Sequence, residues 1–250
     1  MFFTGQATPD DGVIERDFTV GDVPGVLWTP ESGARGAPLI LMGHGGGLHK
    51  RADGLAARAR HAVRTRGFAV ASIDAPGHGD RPRDARDQRW VADLRRARAA
   101  GEPIRPVVAE FNASLAERAV PEWRAVLDAL QAQPEIGPTP VGYSGMTLAS
   151  AIGVPLAAAE PRIAAAVFGG IFAYDALIEA ARRVTVPVEV LLPWEDPEID
   201  RQSALDLFDA LGSADKTLRA KPVGHTQWPL ADAEVSAAFF ARHLARPVPV

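Results

Sequence analysis

The sequence predicts an α/β fold in which helices cover both faces of an open, mostly parallel sheet. Short apolar runs, typical of strands buried on both faces, alternate with longer segments of helical period. The chain has 250 residues and 47% hydrophobic content, which is enough to bury one full core. We therefore expect residues 1–250 to form a single domain.

The first half of the chain supplies the first strands of this sheet. Strands are expected at "GVLWTP" (Gly25–Pro30), "PLILMGH" (Pro38–His44) and "FAVASIDAP" (Phe68–Pro76). Between the last two, "ADGLAARARHAVRTRG" predicts a helix that is closed by Gly67. A strand, a helix and a second strand in this order form a βαβ unit.

The segment 80–133 is longer than a simple crossover needs. It contains the helical stretches "DARDQRWVADLRRARAAG", "PIRPVVAEFNASLAERAV" and "PEWRAVLDALQAQ". We expect this segment to combine a crossover with a small helical cap, formed by a helix over roughly residues 83–100. An ordinary surface helix is an equally good interpretation, because the apolar stripe of Trp90, Val91 and Leu94 would cover either a core or a pocket.

The second half continues the alternation of strands and helices. A short strand is expected at Thr139–Tyr143, where Pro140 suits the start of a strand, and a helix is expected from about 144 to 159. The later strands and helices are predicted at "IAAAVFGG" (163–170), "VPVEVLLP" (186–193), "RQSALDLFDALG" (201–212), "KTLRAKPV" (216–223) and "LADAEVSAAFFARHLA" (230–245).

Composition excludes several classes of function. The formal net charge of −4 supplies no attraction for nucleic acid or an acidic membrane. The absence of cysteine removes disulfides, thiolate metal sites and a cysteine nucleophile. The remaining His, Asp and Glu show no metal-ligand spacing, so neither a metal nor a cofactor is expected. Small molecules are the expected ligands, and the sequence carries no signal for an oligomeric state.

The N-terminal stretch "MFFTGQATPDDGVIERD" lacks the basic region and long apolar run of a signal peptide, which favours a cytoplasmic protein. The most apolar region, "IAAAVFGGIFAY", is flanked by charged residues and is too short to span a bilayer. It is better interpreted as a buried strand and the loop that follows it.

Three residues that suit nucleophilic catalysis follow predicted strands. Ser144 lies at a predicted junction of strand and helix, Asp196 in "LLPWEDPEID" and His225 in "KPVGHTQWP". Because parallel strands end at the same edge of a sheet, we expect the three side chains to meet there. A serine, a histidine base and an orienting carboxylate in this chain order match one known arrangement of the catalytic triad.

The segment around Ser144 departs from the nucleophile-elbow pattern G-x-S-x-G. In "VGYSGMTL", Gly142 and Ser144 fit the pattern, but the closing glycine is displaced to Gly145, and Met146 stands in its place. The case for Ser144 as a nucleophile therefore depends on the other predicted site residues.

A glycine-rich loop, "GHGGGLHK", follows the strand at Pro38–His44. Glycines let backbone N–H groups point into a cleft, so Gly46, with Gly45 as second choice, is expected to pair with the N–H of Gly145 in an oxyanion hole. The loop lacks the spacings of both common phosphate-binding loops.

Other carboxylates compete with Asp196 for the role of the acid. Glu195, Glu198 and Asp200 lie in the same loop, and Asp175 follows an earlier strand. A single carboxylate after a strand is more often a helix cap, so the case for chemistry depends on several features meeting at one sheet edge.

Four further residues are candidates for the wall of the pocket: His78, Arg81, Met146 and Trp228. Two glycines flank His78, which favours a turn, and arginines in this loop are more often solvated surface charges.

These motifs resemble those of the α/β-hydrolase superfamily, in the branch of dienelactone-hydrolase-like and prolyl-oligopeptidase-like serine esterases. The resemblance covers most of the chain and rests on "GHGGG", "AVASIDAPGHGD", "GYSG", "PWEDPEID" and "GHTQWP". It implies Ser144 as nucleophile, Asp196 as acid and His225 as base. Dienelactone hydrolases use a cysteine nucleophile, which this chain lacks, and Met146 replaces the small residue usual two positions after the nucleophile.

The leading hypothesis is a serine hydrolase that cleaves an ester or thioester of a small carboxylic acid. Acyl transfer, lactone opening and carbon–carbon bond cleavage are alternatives that use the same triad. A catalytically silent binding protein is a further alternative, in which Met146 distorts the elbow.

Overall fold

The fold is described from a computed structural model that defines residues 1–225 and 228–244, with the backbone alone for residues 5–10. Within these residues a nine-stranded sheet has the order β1-β2-β3-β5-β4-β6-β7-β8-β9. Its strands are β1 Phe2–Asp10, β2 Val13–Val20, β3 Val23–Pro30, β4 Leu39–Met42, β5 Ala69–Ile73, β6 Val141–Ser144, β7 Ile163–Gly169, β8 Val188–Pro193 and β9 Lys216–Lys221.

Helices cover both faces of the sheet. They are α1 Asp53–Arg66, α2 Ala85–Ala100, α3 Arg105–Gln131, α4 Leu148–Ala159, α5 Asp175–Ala181, α6 Arg201–Ala210 and α7 Ala233–Leu244, with a 3₁₀ turn at Leu230–Asp232. Buried side chains of α1 and α7 pack on one face, among them Ala59 and Phe240. Those of α3 and α4 pack on the other, among them Trp123 and Ile152. The predicted α/β class is confirmed.

The strand directions bring the predicted site residues to one edge of the sheet. The strand β2 pairs antiparallel with β1 on one side and with β3 on the other, and β3 pairs antiparallel with β5. The strands β5, β4, β6, β7, β8 and β9 are parallel neighbours in that order. Their carboxyl ends therefore form a common edge, where ligands bind in open α/β sheets.

The helix after β6 begins later than the sequence predicts. It starts at Leu148 rather than at about residue 144, and Gly145, Met146 and Thr147 form the turn that leads into it. The first strands β1 and β2 and the short helix α5 were not predicted.

The two predicted helical stretches before and after Pro121 form one continuous helix, α3. A proline inside a helix removes one backbone hydrogen bond. Pro121 is exposed, and the carbonyl left without its usual donor belongs to Glu117, which is also exposed, so water can satisfy it.

The helix α2 lies beside α3, where Trp90 and Phe111 make an edge-to-face ring contact at 5.4 Å between centroids. Its N-terminus has a capping box between Asp84 and Asp87, and Gly101 ends it in the left-handed conformation at φ 66°. Within the described part of the chain, none of the helices combines the length and apolar character needed to cross a membrane.

Candidate active site

Asp196 and His225 form a direct pair at the carboxyl edge of the sheet. Asp196 follows β8 and His225 follows β9, and 2.6 Å separates His225 Nδ1 from Asp196 Oδ2. Because an ionised carboxylate only accepts hydrogen bonds, the proton of the neutral imidazole lies on Nδ1. The Nε2 atom is then left with a lone pair, which suits it to act as a general base.

The Asp196 carboxylate is held in one orientation. Its side chain is 2% exposed. Its second oxygen, Oδ1, accepts hydrogen bonds from the backbone N–H groups of Glu198 at 2.9 Å and Ile199 at 3.0 Å. A carboxylate fixed in this way holds the imidazole ring in place.

The competing carboxylates of the same loop have other contacts. Glu198 accepts from the Arg98 guanidinium at 2.9 Å, and Asp200 caps α6 by accepting from the backbone N–H of Ser203 at 2.9 Å. Glu195 is exposed. The geometry therefore favours Asp196 as the partner of His225.

Ser144 does not lie at the turn on which its predicted role depends. It is the last residue of β6, and its carbonyl accepts a hydrogen bond from the N–H of Gly43 at 2.9 Å. The sharp turn comes three residues later, at Thr147, where φ is 56° and ψ is −119°. The expectation that the elbow turn stands at Ser144 is wrong.

Thr147 has a backbone conformation that β-branched residues rarely adopt. Such a residue at positive φ is an outlier that costs on the order of 1–3 kcal/mol. An ordinary N-cap has extended backbone and a side chain that accepts from the first turn. The backbone of Thr147 is not extended, and its side chain makes no capping hydrogen bond to α4. Backbone strain at a residue whose hydroxyl group does not cap the helix is typical of a functional position.

The turn obeys the elbow pattern when Thr147 is taken as its centre. A Cβ atom on Gly145 would lie 2.4 Å from the Cβ of Ala149, so the chain needs glycine two residues before Thr147 and a small residue two after it. "GMTLA" is thus G-x-S-x-G with threonine in place of serine and alanine in place of the final glycine. This spacing was the sequence signal for Thr147, and it is missed when only serine is considered.

Buried hydrogen bonds hold the turn against β7. Ser150 Oγ contacts the carbonyl oxygens of Gly145 and Gly169 at 2.9 Å and the N–H of Gly169 at 2.8 Å. The N–H of Thr147 donates to the carbonyl of Gly169 at 2.8 Å. These contacts stabilise the strained conformation of Thr147.

Gly145 is not an oxyanion donor in this geometry. Its N–H donates to the carbonyl of Val167 at 3.0 Å, as part of the contact between β6 and β7, so that expectation is wrong. Among residues 1–225 and 228–244, the N–H groups of Gly46 and Leu148 have no protein acceptor. Leu148 is the first residue of α4, where the helix dipole also favours negative charge.

The glycine loop lies directly against the Thr147 hydroxyl. A Cβ atom on Gly45 would lie 3.1 Å from Thr147 Oγ1. His44 orients this loop: its Nε2 accepts from the N–H of Ala75 at 3.0 Å, so its Nδ1 donates to the carbonyl of Gly45 at 2.9 Å. Because an N–H points opposite to the carbonyl of the same peptide, the N–H of Gly46 is turned away from His44.

His44 is neutral in the folded protein. Its side chain is buried, and burial lowers the pKa of the imidazole to about 4. Burial likewise lowers the pKa of His78, whose Nδ1 lies 2.9 Å from the carbonyl of Pro76.

Two cavities meet at Thr147 and His225. The first, here called the cap cavity, has a volume of about 510 Å³ and lies beneath α2 and α3, with Leu94 and Phe111 in its wall. The second, here called the α1/α7 cavity, has a volume of about 330 Å³. Gly45, Leu48, Thr147 and His225 line both, whereas Ser144 lines only the α1/α7 cavity.

Three of the four predicted pocket residues line these cavities. His78 lines the cap cavity, and Met146 and Trp228 line the α1/α7 cavity. Arg81 lines neither of them, but it lines a smaller pocket that shares Leu48 and His78 with the cap cavity. Its guanidinium donates to both carboxylate oxygens of Glu122, at 2.6 and 2.7 Å, and its place in the pocket stays a prediction.

The described residues present a hydroxyl group in a strained turn, an imidazole with an orienting carboxylate, and two N–H groups without acceptors. This combination is suited to acyl transfer through a covalent intermediate. Across the same residues, His, Asp and Glu do not gather in groups of three that could hold a metal ion.

Comparison with known proteins finds similar esterase structures. No protein-family model matches the chain, and no curated protein matches its sequence. A cold-adapted esterase from an Arctic intertidal metagenomic library, solved as a polyethylene glycol complex, is 30% identical with a TM-score of 0.77, over 98% of this chain and 100% of that one.

Two more distant structures share the fold. An acetyl xylan esterase from Paenibacillus sp. R4 is 13% identical with a TM-score of 0.67, over 97% of this chain and 88% of that one. A dienelactone hydrolase from Anabaena variabilis is 20% identical with a TM-score of 0.63, over 97% of this chain and 99% of that one.

Proposed function

The chain belongs to the dienelactone-hydrolase-like esterase branch of the α/β-hydrolase superfamily, and on this premise we propose that it hydrolyses esters or thioesters of small carboxylic acids through an acyl-enzyme on Thr147. The observation that carries the proposal is the strained turn at Thr147, a residue that lines the same two cavities as His225, the partner of Asp196.

In the first half of the reaction, Thr147 Oγ1 attacks the ester carbonyl while His225 Nε2 removes its proton. The N–H groups of Gly46 and Leu148 stabilise the oxyanion that forms. His225 then donates the proton to the leaving alcohol, and an acyl-threonine remains. Positioned general-base catalysis contributes about 10²- to 10⁴-fold, and one oxyanion donor about 10²- to 10³-fold.

In the second half, His225 removes a proton from water, and the resulting hydroxide attacks the acyl-threonine. The oxyanion forms at the same two N–H groups, and its collapse releases the acid and returns the proton to Thr147. The Asp196 carboxylate stabilises the imidazolium that forms in both halves.

The methyl group of Thr147 is compatible with this role. A Cβ atom on Gly170 would lie 3.4 Å from Thr147 Cγ2, so the methyl group lies beside a glycine. The hydroxyl lies on the Gly45 side of the turn. The methyl group therefore does not displace the hydroxyl from the candidate oxyanion loop.

Ser144 is the alternative nucleophile, as the resemblance implies. Its position at the end of β6 gives it neither the strained turn nor a following helix N-terminus. Thr147 has both, which supports Thr147 over Ser144.

Matched variants of the two hydroxyl residues test the proposal with p-nitrophenyl acetate and butyrate. Thr147→Ala should lower kcat by at least about 10³-fold and abolish the burst of p-nitrophenol, because the covalent step is lost. Ser144→Ala should lose less than about tenfold, and Thr147→Ser should retain the burst. A Ser144→Ala protein without a burst, beside a Thr147→Ala protein with one, would return the role to Ser144.

We also propose that, within the crossover segment 80–133, the helix α2 acts as a cap over the site. Val91 and Leu94 of α2 and Val108 and Phe111 of α3 line the cap cavity, which reaches Thr147. The apolar stripe of α2 thus faces a pocket, which supports the cap over an ordinary surface helix.

A further inference from the structure

The α1/α7 cavity is an apolar cavity with one arginine in its wall. Its apolar wall includes Ile40, Met42, Leu55, Ala62, Ala237 and Phe240. The cavity meets Thr147 and His225, and Arg58 of α1 also lines it. A chain that enters from Thr147 would thus pass apolar side chains and have a guanidinium within the same enclosure.

Arg58 has no carboxylate partner among the residues that the structure describes. Its guanidinium donates to two neutral backbone carbonyls, of Gly54 at 2.7 Å and of Trp228 at 3.0 Å. Burial lowers its pKa, and no acidic group opposes that effect. The group stays charged in spite of this, because the pKa of arginine starts far above neutrality.

Other charged side chains near Arg58 have partners of opposite charge. On the same helix, Arg60 pairs with Glu15 at 2.7 Å, and Arg64 pairs with Asp11. Asp232 also lines the cavity, but Lys221 neutralises it at 2.5 Å. A partly buried cation without a counter-charge is costly, and an anionic ligand would relieve that cost.

We propose that the α1/α7 cavity binds the acyl arm of a substrate whose far end carries a carboxylate, and that Arg58 holds this carboxylate. The inference rests on the proposed function and names its substrate class: half-esters of saturated dicarboxylic acids. The acyl arm is assigned to this smaller cavity because it stays bound through both halves of the reaction. The leaving alcohol is assigned to the larger cap cavity.

The net charge of −4 means that a preference for carboxylate-bearing substrates has to come from the cavity itself. A negatively charged protein does not attract anionic substrates as a whole, so any gain must come from a specific cation. An arginine presents a planar pair of donors that matches a carboxylate, and a charge-assisted hydrogen bond of this kind corresponds to roughly 10- to 100-fold in binding.

The test compares substrates that differ only at the far end of the acyl arm. p-Nitrophenyl monoesters of adipic, suberic and sebacic acid are paired with p-nitrophenyl hexanoate, octanoate and decanoate. At one chain length, the wild-type kcat/KM should be about tenfold or more higher for the carboxylate-bearing member. Arg58→Met should remove this ratio, mainly through KM, and Arg58→Lys should restore part of it. Arg64→Met is the matched control and should leave the ratio unchanged.

The acetate ester separates this inference from the proposed function. If p-nitrophenyl acetate is not turned over, the proposed function itself fails, and the inference fails with it. If acetate is turned over but no carboxylate-bearing ester exceeds its neutral partner, only the inference is overturned. A ratio that persists in Arg58→Met, or one that Arg64→Met removes as well, also overturns it, because the selectivity would then lie elsewhere.

Discussion

At the scale of single residues, Thr147 combines a backbone that costs energy with a side chain that no structural contact explains. Its φ of 56° and ψ of −119° favour glycine, and its hydroxyl caps no helix. A glycine there would relieve the strain, yet a glycine has no nucleophile. Stability and activity are therefore expected to change in opposite directions at this position.

Thr147→Gly should abolish ester hydrolysis and raise the free energy of unfolding by about 1 kcal/mol. The gain is the backbone strain that is relieved, minus the extra conformational entropy that glycine gives the unfolded chain. Urea unfolding and p-nitrophenyl acetate turnover measure the two effects. Thr217→Gly, in the exposed edge strand β9, is the matched control and should lower stability, because its backbone has no such strain. A destabilised Thr147→Gly protein would count against a strained nucleophile.

Asp196 is a second residue whose role can be separated from the fold. Asp196→Asn should lower kcat by about 10⁴-fold, since an amide in this place can leave His225 in the wrong tautomer. Asp200→Asn is the control in the same loop, where Asp200 caps α6, and it should keep its activity. Steady-state kinetics on both proteins decide the point. Equal activity losses would indicate damage to the loop instead.

At the scale of elements, the strands and helices that could be predicted are those with a continuous apolar run or a clear helical period. β4, β5, β7 and β8 are apolar runs, and α1 ends at Gly67 as predicted. The strands β1 and β2 were missed because their residues are mixed in polarity, although Asp11 and Gly12, both at positive φ, mark the hairpin turn between them. The continuity of α3 through Pro121 depends on exposure, which a sequence pattern does not show.

The position of the elbow turn could not be read from local pattern alone. "GYSG" resembles an elbow, and the sequence predicts a helix that begins at about residue 144. The turn forms at Thr147 because Gly145 packs against Ala149 and because Ser150 ties the turn to Gly169 of β7. The sequence offers two candidate elbows, "GYSG" and "GMTLA", and the backbone angles of the folded chain decide for the second.

The helix α2 provides a test of the cap. Leu94→Gln should raise the KM for p-nitrophenyl esters severalfold, because it places an amide in the apolar wall of the cap cavity, with little change in Tm. Arg89→Gln, on the exposed side of the same helix, is the control and should change neither quantity. An unchanged KM in Leu94→Gln would favour an ordinary surface helix.

At the scale of the whole molecule, the parallel strand order explains why the contact between Asp196 and His225 could be predicted, whereas the turn at Thr147 was not. Both predicted residues follow parallel strands, so topology alone carries them to one edge. The position of the proposed nucleophile depends on the backbone of a single residue, and the cavities depend on packing between distant helices. Topology can be predicted from apolar periodicity, whereas these two features depend on tertiary contacts.

Global stability should fall as the solution is acidified, and His44 should account for part of the loss. Burial lowers its pKa from 6.5 to about 4. Between these two pH values the imidazole is protonated in the unfolded chain and neutral in the folded chain, which favours unfolding. The contribution is complete above pH 6.5 and is lost as the pH falls towards 4. By pH 4.5 the loss is about 2–3 kcal/mol. His78, whose pKa is also lowered, adds in the same direction.

Urea unfolding between pH 7 and pH 4.5 measures this loss, and His44→Gln should show a smaller dependence on pH. The window avoids Glu160, whose pKa its contacts with Arg162 lower to about 2, since that contribution is lost only below about pH 4.5. A pH dependence that is the same in wild type and His44→Gln would show that His44 is not the buried neutral group described here.

The residue that carries the covalent adduct decides between Thr147 and Ser144. The protein is labelled with a fluorophosphonate, digested, and sequenced by tandem mass spectrometry, with the Thr147→Ala and Ser144→Ala variants treated in parallel. We expect an adduct on Thr147 that persists in Ser144→Ala and disappears in Thr147→Ala. An adduct on Ser144 that persists in Thr147→Ala would show that Ser144, and not Thr147, is the nucleophile.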